Sequence, residues 1–149
     1  MNAPLTPEFQ VNTFISGNQT DPEIATLLDG TYVVVWTSAD QDGSGNGVVA
    51  QRYSAEGAPL GLPFIVNSNA ASVQDDPAVA ATADGGFVVV WESASQDAPG
   101  SSSRGVFGQA YQADGTPAGD EFQVNVANTT RDQVNAAIVG LPGGGFAVA

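Results

Sequence analysis

The oxygen donors Asp40, Asp42, Ser44 and Asn46 stand at alternate positions in the segment Asp40-Gln41-Asp42-Gly43-Ser44-Gly45-Asn46. A hard cation such as calcium takes about six to eight oxygen ligands, and alternate donors around a glycine turn form the first half of a calcium loop. The distal bidentate glutamate of an EF-hand is absent, and the same residue types also build an ordinary hairpin turn. The corresponding segment further on, Ser95-Gln96-Asp97-Ala98-Pro99-Gly100, keeps only Asp97 of the two acids. The expectation is therefore at most one calcium loop. An aspartate that returns at the start of a loop more often caps backbone amides.

Other chemistry finds less material. The chain has 149 residues with neither histidine nor cysteine, which removes the commonest general base, thiol nucleophiles and thiolate zinc sites. Paired carboxylates could hydrolyse a glycoside, but nothing in the sequence sets two of the sixteen acids in inequivalent, buried positions. The reading is of a protein that is not an enzyme. Trp36 and Trp91 could offer a sugar-stacking platform, although their place at the end of apolar strands favours packing. Gln51, Arg52 and Tyr53 end another strand and could line a groove. Ala110 replaces the arginine in the next copy, which weakens a repeated binding role.

Three arginines, no lysine and sixteen acids give a net charge of −13. Such a chain is repelled by nucleic-acid phosphates and by anionic lipid surfaces, and it attracts cations. No apolar run approaches the ~18 residues of a spanning helix. The segment Met1-Asn2-Ala3-Pro4 lacks the features of a signal peptide, so an export address would lie elsewhere. Asn18-Gln19-Thr20 and Asn128-Thr129-Thr130 fit the glycosylation pattern, a match common by chance. At 42% apolar and 13% charged residues the chain can build a core, which argues against disorder.

The elements that would position these residues repeat. Glu8-Phe9-Gln10-Val11-Asn12 returns as Pro63-Phe64-Ile65-Val66-Asn67 and as Glu121-Phe122-Gln123-Val124-Asn125. Asp29-Gly30-Thr31-Tyr32-Val33-Val34-Val35-Trp36 returns as Asp84-Gly85-Gly86-Phe87-Val88-Val89-Val90-Trp91, and Gly47 to Tyr53 returns as Gly105 to Tyr111. The offset slips from 55 to 58 residues within the loop Ala98 to Arg104. Gly144-Gly145-Phe146-Ala147-Val148-Ala149 matches Gly85 to Val90 within a third, partial copy. The whole chain thus reads as one tandem-repeat β region, with repeats at about 8–62, 63–120 and 121–149, the last partial.

Each copy holds four short β-branched or aromatic segments bounded by turn signals: in the first, Glu23 to Leu28, Thr31 to Thr37, Gly47 to Tyr53 and Pro63 to Asn67. Val33 to Trp36 is apolar on both faces and belongs between packed sheets. Four strands per copy point to a β-propeller-like array of four-stranded blades, incomplete in one chain; an antiparallel β-sandwich is the alternative. With Phe9 to Asn12 as an orphan outer strand, and strands at Asn135 to Leu141 and Gly145 to Ala149, the count is eleven, one short of three blades. Two chains could then close a ring by exchanging strands between incomplete blades.

The run Asp29 to Trp36, followed by Asp40-Gln-Asp-Gly-Ser-Gly-Asn-Gly47, Gln51-Arg-Tyr53 and Phe64-Ile-Val-Asn67, resembles the acidic tandem β-repeats of large secreted bacterial proteins of the RTX-like, haemolysin-type calcium-binding and surface-adhesin kind. The resemblance covers nearly the whole chain. It implies export, calcium-rich surroundings and a structural or adhesive role within a longer chain. The glycine- and aspartate-rich nonapeptides of RTX β-rolls are absent, so no calcium site of that type is implied. The expected protein is a non-catalytic structural or adhesion module, secreted or at the cell surface. It would act as a homo-oligomer or beside neighbouring repeats, with a glycan-binding module or a calcium-stabilised scaffold as alternatives.

Overall fold

The computed structural model describes residues 7–97, 103–127 and 129–149. The early match Ala3-Pro4-Leu5, the tail Ala98-Pro99-Gly100 of the second hairpin segment and Asn128 lie outside the described residues. Those described contain no helix and ten antiparallel strands, so the chain is all-β.

Strands β1 (Gln19–Thr26), β2 (Tyr32–Ala39), β3 (Asn46–Tyr53) and β4 (Pro59–Ile65) form one meandering sheet in chain order. Strands β5 (Gln74–Ala81), β6 (Phe87–Ala94), β7 (Arg104–Tyr111) and β8 (Phe122–Gln123) repeat it. A third, two-stranded sheet holds β9 (Ile138–Gly140) and β10 (Phe146–Val148). Valine-rich β2 and β6 form the sheet centres because side chains branched at Cβ suit an extended backbone packed on both faces.

Two strands begin earlier than the sequence signals place them. The sequence starts the first strand at Glu23, yet β1 and its repeat β5 run back through Asp21-Pro22 and Asp76-Pro77 by way of a bulge. Asp21 and Asp76 take φ values of 52° and 48°, which re-aims the chain and sets each proline where no ladder bond is needed. Phe9 to Asn12 differs in the other direction. No backbone ladder forms along it, because no third strand lies beside it among the described residues.

The sheets stack face to face. Val33, Val35, Val48 and Ala50 of the first sheet pack on Phe87, Val89, Trp91, Phe107 and Tyr111 of the second. Successive residues of a strand face opposite ways. Val88, Val90 and Val106 therefore look out of the other side and pack on Ile138, Phe146 and Val148 of the third sheet. The leading strands follow the stack, β1 lying beside β5 and β5 beside β9. Among the described residues no sheet closes on itself, and stacked open sheets fit both a propeller-like array and a sandwich.

Aromatic pairs mark each junction. The Phe64 ring on β4 lies 5.4 Å from that of Tyr111 in the second sheet, and Phe122 on β8 lies 5.8 Å from Phe146 in the third. Phe9 packs on Tyr53 of the first sheet at 5.6 Å. The Tyr53 hydroxyl donates to the Val11 carbonyl (3.3 Å) as the Tyr111 hydroxyl donates to that of Val66 (3.4 Å). Phe9 and Val11 thus occupy on the first sheet the place that Phe64 and Val66 occupy on the second.

Candidate functional site

The sequence-predicted calcium loop is the hairpin between β2 and β3. Asp40 (φ 61°), Gly43 (φ 98°) and Gly45 (φ 69°) all take left-handed backbone there, and the Asp40 amide donates to the Gly45 carbonyl. The structure does not turn all four donors to one point. Asp42 Oδ1 accepts the Ser44 amide (3.1 Å), while Asp42 Oδ2 accepts Asn67 Nδ2 (2.9 Å). Asn46 is the first residue of β3, paired with Ala39. The exposed Asp40 carboxylate takes no hydrogen bond among the described residues.

The contact between Asp42 and Asn67 belongs to a polar latch absent from the sequence reading. Asn67, buried at 6% exposure, accepts the Val48 amide on Oδ1 (2.8 Å). Its Nδ2 group reaches Asp42, the Asn69 carbonyl (3.0 Å) and Oε1 of Gln74, the first residue of β5 (3.3 Å). One amide therefore ties the hairpin, the exit from β4 and the next sheet. Asn125 repeats the pattern, accepting the Val106 amide (2.8 Å) and donating to Asp97 (3.3 Å) and to Gln133 (2.5 Å). Asn12 donates to Gln19, the first residue of β1 (2.8 Å). Because the Asp42 carboxylate lies over β3, a Cβ on Gly47 would come within 2.7 Å of it, and a Cβ on Gly105 would overlap Asp97. The signal was available in the sequence: the Gln-Asp pair and the asparagine after Phe-x-Val recur together.

A second cluster occurs in only one copy. Arg104, at the start of β7, pairs with both oxygens of Asp75 and with Glu92 Oε2 (3.0 Å). Glu92 Oε1 accepts the Asn135 amide of the third copy (2.6 Å), and the Arg104 amide donates to Asp132 (2.9 Å). Burial pushes the Glu92 carboxyl above its ordinary range against the bond from Asn135 and the field of Arg104. Burial also raises Asp76, helped by the neighbouring charges of Asp75 and Asp21. The Asp75 bond holds the Arg104 guanidinium firmly protonated. Oxygens of Asp75, Asp76 and Glu92 approach within 4.8 Å of one another, a donor set that suits a hard cation; Arg104 already neutralises part of it. The equivalent positions of the first copy are Thr20, Thr37 and Asn46. All three charges are exchanged together, which is the sequence trace of one interacting unit.

The remaining recurrent acids form turns. Asp29, Asp84 and Asp114 each accept from a threonine hydroxyl, that of Thr31 (2.6 Å), Thr82 (2.5 Å) and Thr116 (2.7 Å), and these bonds hold their carboxyls below the usual range. Arg52 crosses to the second sheet, donating to the Asp114 carbonyl (2.7 Å), and Gln51 donates to the Arg52 carbonyl (2.8 Å). Trp91 is fully buried and Trp36 is 4% exposed, which leaves too little open indole face for a sugar ring to stack on.

Compared with known proteins, the chain matches no family model, no curated protein and no solved structure.

Proposed function

We propose that this chain is a non-catalytic structural or adhesion module of an extracellular protein, built as a propeller-like array in which each four-stranded sheet is one blade. The observation that carries the reading is the repetition of one face-to-back junction. Phe64 on Tyr111 and Phe9 on Tyr53 use equivalent residues, each with a tyrosine hydroxyl on a valine carbonyl. A junction reused in one sense along the chain suits a module that extends by adding blades. The recurrent acids Asp29, Asp42, Asp84, Asp97 and Asp114 all hold turns or latches, which leaves them structural work. The acidic repeat pattern and its resemblance to secreted proteins support the extracellular part of this proposal.

Each four-stranded sheet carries one tryptophan, so Trp36→Phe and Trp91→Phe variants report separately on the two. Denaturant unfolding followed by the remaining indole should give coincident midpoints, since stacked blades share one core. Well-separated midpoints would sink the reading.

A calcium-stabilised scaffold is the second reading, favoured by the convergence of Asp75, Asp76 and Glu92. Calorimetric titration of calcium into chelator-treated protein tests it, and the absence of saturable heat would remove it.

A further inference from the structure

Equivalent residues at the two inner junctions differ in charge in a matched way. The leading strand of each copy sets one residue in left-handed backbone, Asp21 (φ 52°), Asp76 (φ 48°) or Asn135 (φ 60°). Asp76 and Asn135 correspond because Gln74 and Gln133, two residues earlier, play the same part in their latches. Asp75 then corresponds to Val134. Beneath this position stands one residue of the preceding sheet. Glu92 on β6 accepts the Asn135 amide (2.6 Å), and its equivalent Thr37 lies on β2, which packs against β5. Both are buried, at 3% and 1% exposure. The copy that sits on the threonine brings Asp75 and Asp76, whereas the copy that sits on the glutamate brings the neutral Val134 and Asn135.

Charge balance accounts for the match. Carboxylate oxygens of Asp75, Asp76 and Glu92 lie within 4.8 Å of one another, and Arg104 bonds to Asp75 and Glu92. The three acids outnumber that guanidinium. Asp132, which the third copy also brings, is taken up by the Arg104 backbone amide. Another carboxylate at position 135 would set like charge beside a buried glutamate, and a buried charge is costly to leave uncompensated. At the first junction Thr20, Thr37 and Asn46 stand in place of Asp75, Glu92 and Arg104. The charge from the first sheet that acts on Asp76 is that of Asp21.

We infer that Thr37 and Glu92 select the repeat that packs on each sheet: glutamate takes a following copy neutral at the positions of Val134 and Asn135, and threonine takes one with acids there. The inference rests on the stacked array proposed above and adds which neighbour each sheet accepts. An unlike neighbour is refused by like-charge repulsion, the repulsive half of any specific pairing.

Asn135→Asp and Glu92→Gln change charge with little change of shape, and aspartate tolerates left-handed backbone as asparagine does. The Ala137 and Leu141 amides bond within the third sheet, to Ala149 and Gly145 (both 3.0 Å). A two-stranded sheet alone is marginal in water, so hydrogen-exchange protection of these amides reads its docking on the second sheet. In metal-free buffer near neutral pH, Asn135→Asp should lower that protection. The loss should be at least about threefold smaller in a Glu92→Gln background. An equal loss in both backgrounds, or none in either, overturns the selection, and protected wild-type amides would then leave the stack standing. Unprotected wild-type amides remove stack and selection together. At the first junction Thr37→Glu should unfold at lower urea than Thr37→Gln, and Asp76→Asn should narrow that gap. A gap that Asp76→Asn leaves unchanged also overturns the selection.

Discussion

Asn67 donates to the Asp42 carboxylate at 2.9 Å while its own carbonyl oxygen accepts the Val48 amide, so a single buried amide holds the β2–β3 hairpin to the exit of β4. Truncating it strands a buried amide donor at Val48 and removes the donor to Gln74 Oε1. Each buried polar group left unpaired costs about 1–3 kcal/mol. Asn67→Ala should therefore lower unfolding free energy by about 2–4 kcal/mol in urea titrations. A loss under ~0.5 kcal/mol, ordinary for a surface site, would show that the latch is idle.

The glycine beneath each latch gives a second test. Gly47→Ala brings a methyl against the Asp42 carboxylate. Alanine suits a strand better than the glycine it replaces, so the cost should come from that one collision. In an Asp42→Ala background it should largely vanish, with a coupling of about 1 kcal/mol or more in a double-mutant cycle. Strict additivity would place the Asp42 side chain elsewhere.

How far the sequence reveals this can be followed residue by residue. The four strands of each full copy were legible because Val33 to Trp36 and its repeat fix a central strand, and glycine-rich turns bound it; the total of eleven was one too many, because Phe9 to Asn12 forms no strand among the described residues. The bulges at Asp21 and Asp76 were not, since Asp-Pro signals a turn equally well when a strand passes through it. Asp42 carries the same lesson at the candidate site. Its spacing from Asp40 reads as metal ligation, but its direction is set by Asn67, twenty-five residues away, and local spacing cannot encode that.

Arg104 neutralises two acids that the fold has partly or fully withdrawn from water. Removing the cation alone should be costly, because breaking a buried pair typically costs about 3–5 kcal/mol. Arg104→Asn should show a loss near the lower end of that range, since the guanidinium itself is partly exposed. The triple change Asp75→Thr, Glu92→Thr and Arg104→Asn copies the first repeat and should recover most of the loss. Thermal melts of both variants check this; a triple variant as weak as the single one would contradict it.

Acidity should act in two stages. Glu92 and Asp76 have carboxyls raised by burial, so the folded state binds their protons more tightly than the unfolded chain does. Their charged forms therefore weaken the fold as pH rises through the raised range, and stability should increase as pH falls through that range toward the ordinary glutamate value of 4.5. Asp29, Asp84 and Asp114 have lowered carboxyls, so their contribution is present above the ordinary aspartate value of 3.8 and is lost below it. The melting temperature should rise as pH falls toward the ordinary glutamate value of 4.5 and then fall below the ordinary aspartate value of 3.8. Glu92→Gln should flatten the first limb and leave the second. A melting temperature that falls steadily from pH 7 downward would contradict the assignment.

The proposed blade array requires one junction to be used repeatedly. Aromatic nuclear Overhauser effects, measured on selectively labelled rings, read that directly. Cross-peaks are expected between Phe64 and Tyr111 and also between Phe9 and Tyr53, whose ring centres lie 5.4 Å and 5.6 Å apart. The absence of the Phe64–Tyr111 contact in a folded chain would contradict the stacking of one sheet on the next, and with it the proposed blade array.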